Sequence, residues 1–560
     1  MSYLKSIGTA VIYIGLFLAI ITFIPGLPPD SEFREFSPVP PRDYDSKKDT
    51  KNRLNNAQKL FEGRFLGPEA LDSYDGQLYT SIYDGYVVRI NEDDFVPVVK
   101  FGKKCDGIWQ EQKCGRPLGL KFDKKGNLYV ADAYYGIFKV NVTTGEYNNV
   151  VDISKPINGK VPLLPNSVAV AENGDLYWSS SSMDFTLYEI VYIFFTNPTG
   201  RLIRYNAAKK KNEVLLENLA VANGVLLSND ESFVLVVEST ANRIIKYHLK
   251  GPKAGQHEIF IEGLPGIPDN LQSDGQGGFL VPIVITMNSE HPQLALILGP
   301  HPYLRKMIVR LLVMMKLPFK LLHDIYPTIF TEKVLHALGS YQGIGELFTS
   351  YKKSLMLRID ASGNIMEMLS SDDDIFNGIS DAYIHNGFVW FGSPWRNYLA
   401  RVPLKQAFPD LANSEKQSFR TRNENAAASN VKLERAKRDT ISTSTSTTSK
   451  PTPTPTTTPK PIVASTTTAP KPSPTPKVDK PTTDSNNAKR SETKSTLKSE
   501  NVEVKKNPET ISNAKFESDN KKEDARKSSK VEQNASIKEK VEKSSPKKIK
   551  PEATRSRDDL

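Results

Sequence analysis

Histidine and cysteine are scarce in this 560-residue chain: there are seven His, the first of them His248, and two Cys. Two cysteines exclude a disulfide-dense scaffold, and so few soft ligands argue against zinc or copper chemistry. There is no Gly-x-Ser-x-Gly elbow and no His-Glu-x-x-His pair, so the common nucleophile and zinc-peptidase signatures are absent. A surplus of one charge is also missing from the body. Most of the net +10 belongs to the tail, where residues 439–560 hold 25 Lys+Arg and 17 Asp+Glu, leaving 49 and 47 in the first 438. A nearly neutral body without a DNA- or RNA-reading motif excludes nucleic acid as a partner. A mean hydropathy of −0.41 excludes a multi-span membrane protein.

What is present begins with an uncharged run from Ile7 to Ile24. Eighteen such residues reach about 27 Å as a helix, enough to cross most of a hydrocarbon core. A cleavable signal peptide is the competing reading. The run is long for that, however, and ends in Pro25-Gly26-Leu27-Pro28-Pro29 without a small-x-small cleavage site. The expected organisation is a cytoplasmic N-terminus at 1–6, a transmembrane signal anchor at 7–27 and a stalk at 28–60. Lys5 precedes the span, while Asp30, Glu32 and Glu35 outnumber Arg34 after it, which orients the chain as a single-pass type II protein. The expected location is the plasma membrane or a secretory-pathway membrane, with everything beyond the span extracellular or lumenal. Asn141 and Asn534 then stand in N-glycosylation sequons. Cys105 and Cys114 would pair in that oxidising compartment, the alternative being two inert buried thiols.

The far end has a different composition. Residues 440–483 contain 16 Thr, 6 Ser and 10 Pro, the pattern of an O-glycosylated, mucin-like segment or of an unmodified linker. Residues 439–483 are assigned to that segment and 484–560 to a charged disordered tail, since Phe516 is the one aromatic of the last 122 residues. The linker 406–438 ends in Arg435-Ala436-Lys437-Arg438, a candidate processing site for a furin-like protease.

Between 61 and 405 a short pattern recurs, a Gly or polar residue followed by a β-branched and aromatic strand. Copies begin at Gly76, Gly126, Gly174, Glu231, Gly277 and Gly387. A period near 50 with paired strands in each unit predicts an all-β fold, a six-bladed β-propeller. The long gap before Gly387 is assigned to a helical insertion at about 285–350. There Arg305, Lys306, Arg310 and Lys316 share one arc, opposite Met307, Ile308, Leu311, Leu312, Met314 and Met315. Such a helix suits a membrane interface, a lid, or packing on the barrel top.

In a propeller the innermost strands form a ring, so equivalent repeat positions converge. About seven or eight residues before the repeat starts stand Glu69, Pro117-Leu118, Asn166, Asn223, Asp269-Asn270 and, more loosely, Ser380-Asp381. Glu69, Asn166, Asn223, Asp269 and Asn270 offer an all-oxygen ligand set, which suits Ca²⁺. The competing reading is a set of turn caps. Asp269 is also a candidate base; His385, on the turn before the last repeat, is a second one if that turn reaches the mouth, the alternative being an exposed turn histidine.

The segments CGRPLGLKF, GNLYVADAYYGIFKV, FVLVVESTANRIIKYHLKGPKAG and LPGIPDNLQSDGQGGFLVPI resemble the strictosidine synthase-like family, in the branch of the adipocyte plasma membrane-associated protein. The resemblance implies a six-bladed propeller, an N-terminal signal anchor and a Cys105–Cys114 disulfide. The plant synthases use a catalytic glutamate whose place here is taken by Ser380, with Asp381 adjacent, which argues against strictosidine synthase activity. Calcium-dependent paraoxonases and gluconolactonases of the wider superfamily hold their metal with a Glu, Asn, Asn, Asp-Asn set, matched by Glu69, Asn166, Asn223, Asp269 and Asn270. The paraoxonase histidine pair is missing, since Leu118 replaces the first and no histidine stands near Asp132. The expected function is a calcium-dependent esterase or lactonase-like hydrolase acting on a small ester or lactone. The alternative is a non-catalytic surface mucin or receptor that binds a glycan or lectin.

Overall fold

The computed structural model describes residues 2–29, 31–42, 49–50, 52–287, 291–343, 353–371 and 378–414. The expected processing site Arg435–Arg438, the sequon at Asn534, the mucin-like segment and the charged tail lie outside the described residues. The fold is mostly β.

Helix α1 (Ser2–Phe23) is the one described helix long and apolar enough to cross a membrane, and it exposes Val11, Ile12, Leu16 and Ile20. It begins and ends several residues before the expected span of 7–27. Pro25 pushes the residue before it out of helical geometry, which stops the helix at that point.

Beyond α1 the strands fall into several four-stranded sheets and one larger one, six in all among the described residues. The first spans 71–100, the second 117–151, the third 165–219 and the fourth 222–262, each an up-and-down antiparallel meander. The fifth is built from 266–286 and 354–371, and the sixth from 381–403. Middle strands such as Leu176–Ser180 and Phe233–Glu238 are buried on both faces, which is why they read as continuous rather than alternating apolar runs. Outer strands such as Tyr147–Val151 are mostly exposed and carry polar residues.

Apolar clusters lie between successive sheets. Val87 and Val99 of the first meet Leu128 and Val130 of the second. Ile137 of the second meets Val168 and Trp178 of the third, and Leu202 of the third meets Val234 and Val236 of the fourth. Leu235 packs with Val281 and Leu357 of the fifth sheet, whose opposite face packs Leu280 and Met356 against Val389 and Phe391 of the sixth. Trp390 and Leu399 of the sixth then close on Leu71, Leu78 and Val88 of the first. Burying each such side chain contributes roughly 1.5–3 kcal/mol, so every sheet is held on two faces.

Two short strands from before the first sheet tie the cycle. Gln58–Leu60 adds antiparallel to Leu399–Pro403, and Asp49–Thr50 adds parallel to Ile365–Ser371. Residues 49–50 and 58–60, assigned to the stalk from sequence, therefore belong to the fifth and sixth sheets. The Asp381 carboxylate joins three sheets, accepting from the Leu71 amide at 2.7 Å and from Gln272 Nε2 at 3.0 Å.

Among the described residues, three helices occupy the interval between the strands Phe279–Thr286 and Ser354–Ile359, where the insertion was expected: α2 (Leu294–Leu298), α3 (Pro302–Ile325) and α4 (Ile329–Gly339). Thr328 caps α4 by accepting from the Thr331 amide at 3.1 Å. Arg305 and Arg310 of the expected basic arc face inward, and so do Ile308 and Leu312 of the expected apolar arc, so the two arcs do not separate solvent from core. Arg305 and Arg310 are each 1% exposed and donate to backbone carbonyls, while Met314 and Met315 face outward.

Candidate functional site

The first strands of successive sheets approach so closely that only glycine fits at several contacts. A Cβ on Gly119 would stand 2.6 Å from the Asn166 carbonyl oxygen, and one on Gly224 would stand 2.6 Å from that of Asp269. On the second strand of the sixth sheet, a Cβ on Gly392 would stand 2.4 Å from the Glu69 carbonyl oxygen. These approaches hold Glu69, Asn166 and Asp269 in a common ring.

Glu69, Asn166, Asn223 and Asp269 all line one cavity of about 840 Å³, a figure that includes space open to solvent. Glu69, Asn223 and Asp269 are buried and Asn166 is half-buried. Asn270 is buried too, but it lines a small neighbouring cavity with Gln272 and Asp381. Asp269 and Asn270 lie on the connection between the short strands Gly266–Pro268 and Gln272–Ser273, and their side chains line different cavities. Four of the five expected ligands therefore meet, and the fifth faces away. The Ser380 hydroxyl donates to the Glu69 carbonyl at 2.8 Å, so Ser380 and Asp381 both hold backbone rather than face the cavity. His385 ends a strand, half-buried, away from the cavity lining.

Sequence reasoning missed a buried cation. Arg116 Nη2 lies 3.1 Å from Glu69 Oε2 and Nη1 lies 2.9 Å from the Gly67 carbonyl, with the guanidinium 4.0 Å from the Tyr83 ring centroid. Arg116 directly precedes Pro117-Leu118, the repeat position that was read only for oxygen ligands. Glu111, from the disulfide-closed loop, is a further cavity residue that the sequence did not mark, and its Oε1 accepts from the Tyr134 hydroxyl. The loop itself is closed by the Cys105–Cys114 disulfide, with Cα atoms 5.6 Å apart. His336 and Ser340 of α4 line the cavity from the insertion, and Tyr341 stacks on Trp395 at 4.0 Å.

Burial governs the electrostatics. It raises Glu69 to about 7, and the nearby Arg116 charge offsets this only in part. Burial also raises Glu111 to about 7 and Asp132 to about 6, and pushes Asp269 well above the carboxylate range with help from the Glu69 charge. His336 is lowered to about 4 by burial, so it stays neutral at pH 7. Arg116 is thus a single buried guanidinium among several buried acids.

Two acceptors in this site have no donor among the described residues. The Asn223 side chain hydrogen-bonds the Asp269 carboxylate, yet Oδ1 of Asn223 and Oδ1 of Asp269 are buried without a partner. An orphaned buried acceptor costs about 1–3 kcal/mol, and a hard cation is a chemical group that oxygen-only ligands satisfy. The oxygen donors present therefore fit a hard cation.

The strictosidine synthase family model matches residues 166–252, and the strictosidine synthase-like N-terminal model matches 51–90. The adipocyte plasma membrane-associated protein Hemomucin of Drosophila melanogaster is 39% identical over 414 residues, covering 73% of this chain and 71% of that protein. The chain belongs to the strictosidine synthase-like family, in the branch of the adipocyte plasma membrane-associated proteins. Within that branch, the Salmo salar protein is 30% identical over 359 residues, covering 63% of this chain and 79% of its own. Among solved structures, a gluconolactonase from Xanthomonas campestris is similar at TM-score 0.40 and 12% identity, covering 67% of this chain and 98% of that one. The calcium-binding protein regucalcin from Agrobacterium tumefaciens is similar at TM-score 0.37 and 10% identity, covering 63% and 95%.

Proposed function

We propose that the closed cycle of six sheets is a six-bladed β-propeller with a calcium-dependent esterase or lactonase-like activity at its central cavity. The observation that carries this reading is the pair of unpartnered buried oxygens, Asp269 Oδ1 and Asn223 Oδ1, beside Glu69 in one cavity. Glu69, Asn166, Asn223 and Asp269 would hold the ion, with Asn270 adjoining. When bound, calcium supplies polarisation of an ester or lactone carbonyl and stabilisation of the oxyanion formed as water adds.

The chain's own residues do the rest. Leu118, Ile190, Phe194 and Trp395 give the cavity apolar walls that hold the acyl or aryl part of a substrate and exclude bulk water. Arg116 holds the Glu69 carboxylate in place and limits its proton affinity. Asp269 is the candidate base. His336, neutral at pH 7, offers a ring nitrogen at the cavity wall.

A second reading has its own support. Leu118 lines the cavity where a catalytic histidine would be required by the paraoxonase pattern, and Asp132 is fixed by the Tyr134 and Tyr135 amides at 2.9 and 3.0 Å. A calcium-stabilised recognition module that binds a glycan or lectin follows if turnover is absent.

The chain is proposed to be a type II membrane glycoprotein anchored by α1. Asn141 is exposed at the end of its strand, where glycosylation meets no obstruction. The test is hydrolysis of phenyl acetate and of a lactone by the full chain in detergent, with and without calcium. Hydrolysis that chelation and Asp269→Asn both abolish supports the enzyme. Calcium binding without hydrolysis leaves the recognition module.

A further inference from the structure

Helix α3 buries Arg305, Arg310 and Lys316 on its inner face beside the apolar Val309 and Leu312, while Lys320 is exposed. Arg305 donates to the carbonyls of Phe195 and Thr196 at 3.1 and 3.2 Å, and Lys316 pairs with Glu189 at 3.0 Å with 12% of its side chain exposed. Its outer face and the start of α4 are apolar and exposed: Met315 51%, Leu321 54%, Leu322 49%, Ile325 83%, Ile329 55% and Phe330 63%. The charges on that stretch, Lys320 and Asp324, neutralise each other at 2.8 Å. A water-facing helix carries its charged residues on the exposed face, and a contiguous exposed apolar patch marks an interaction surface.

The same helix is fastened to the end of α1. Arg310 Nη1 donates to the carbonyls of Ile21, Thr22 and Ile24 at 2.9, 3.0 and 2.8 Å, which are among the orphan acceptors at that helix's C-terminus. The rings of Phe23 and Tyr303 stand 5.5 Å apart. A span that leaves the hydrocarbon at Phe23 therefore delivers the start of α3 at headgroup level, where an amphipathic helix lies in the plane with its apolar side down.

We propose that the outer face of α3 and the start of α4 lies in the headgroup–acyl boundary of the bilayer that α1 crosses. The proposal rests on the reading of α1 as a membrane anchor. Because α4 presents Ile329 and Phe330 outward at one end and His336 and Ser340 to the cavity at the other, docking makes the wall of the cavity a membrane-contacting element.

Depth-dependent quenching tests this. Both native cysteines are in the disulfide, so a single introduced cysteine is the one free thiol to label. The full chain carrying Ile325→Cys or Phe330→Cys, labelled with an environment-sensitive fluorophore, is reconstituted into phosphatidylcholine vesicles containing phosphatidylserine. Leu16→Cys in α1 and Lys209→Cys on the exposed edge of the third sheet serve as references. Labels at 325 and 330 are expected to be quenched several-fold more by nitroxide-bearing lipid than by iodide, as at 16, with the reverse at 209. Labels at 325 and 330 that follow 209 while 16 follows the lipid overturn the docking and leave the anchor standing. Labels shielded from both quenchers place a protein partner on the face and overturn it equally. Iodide quenching at 16 removes the anchor and the proposal together.

Discussion

The Arg116 guanidinium stands 3.1 Å from the Glu69 carboxylate with both side chains almost wholly removed from solvent. Removing one partner of a buried pair leaves the other charge uncompensated, which costs about 3–5 kcal/mol. Arg116→Met is therefore expected to lower stability by an amount in that range in chemical denaturation. Adding Glu69→Gln should recover most of the loss. Additive losses in the double variant would show that the two side chains do not act as a pair.

Gly224 marks the close approach of the fourth and fifth sheets, where a Cβ would stand 2.6 Å from the Asp269 carbonyl oxygen and 2.8 Å from Asn270. Backbone cannot move aside as a flexible side chain can. Gly224→Ala is expected to destabilise by about 1–3 kcal/mol, as overpacking does. A thermal melt unchanged from the parent would contradict this packing.

Glu111 gives a pH dependence with a defined sign. Burial raises its folded-state value from 4.5 to about 7, so the folded state binds the proton more tightly than the unfolded state. Its contribution favours folding below about 4.5 and is lost as pH rises toward about 7, a swing on the order of 3 kcal/mol. Glu111→Gln keeps an acceptor for the Tyr134 hydroxyl and removes the titration. Denaturation midpoints of metal-free protein should fall less between pH 5 and 7 in the variant than in the parent. An identical pH profile would mean that Glu111 does not titrate there.

The Cys105–Cys114 disulfide has a sequence separation of nine residues. By the loop-entropy model it adds about 2.6 kcal/mol. Cys105→Ser with Cys114→Ser should lose that amount in denaturant titration. A loss near zero would show that the loop stays ordered when the chain unfolds.

Much of this was legible in the sequence, for reasons visible residue by residue. The repeat starting at Gly76, Gly126, Gly174, Glu231 and Gly277 marks strands because doubly buried strands must be apolar and β-branched, and its phase locates Glu69, Asn166, Asn223 and Asp269. The phase also places Asn270 with them, but on the connection between the strands Gly266–Pro268 and Gln272–Ser273 it lines the next cavity. Asp49–Thr50 and Gln58–Leu60 escaped notice because they are short and polar and pair only at sheet edges. The inward face of α3 was unreadable from its own periodicity. Arg305 and Arg310 find their acceptors more than 100 and 280 residues away, in Phe195 and Ile21. Arg116 stands one residue outside the repeat position and offers no oxygen, so the ligand pattern does not mark it.

The most direct test of the central claim is calorimetric titration of calcium into the full chain in detergent, compared with Glu69→Gln and Asp269→Asn. Saturable calcium binding in the parent that both substitutions remove is the predicted result. No saturable heat, or binding that survives both substitutions, would contradict a calcium site at Glu69 and Asp269 and leave those residues as buried turn and strand caps.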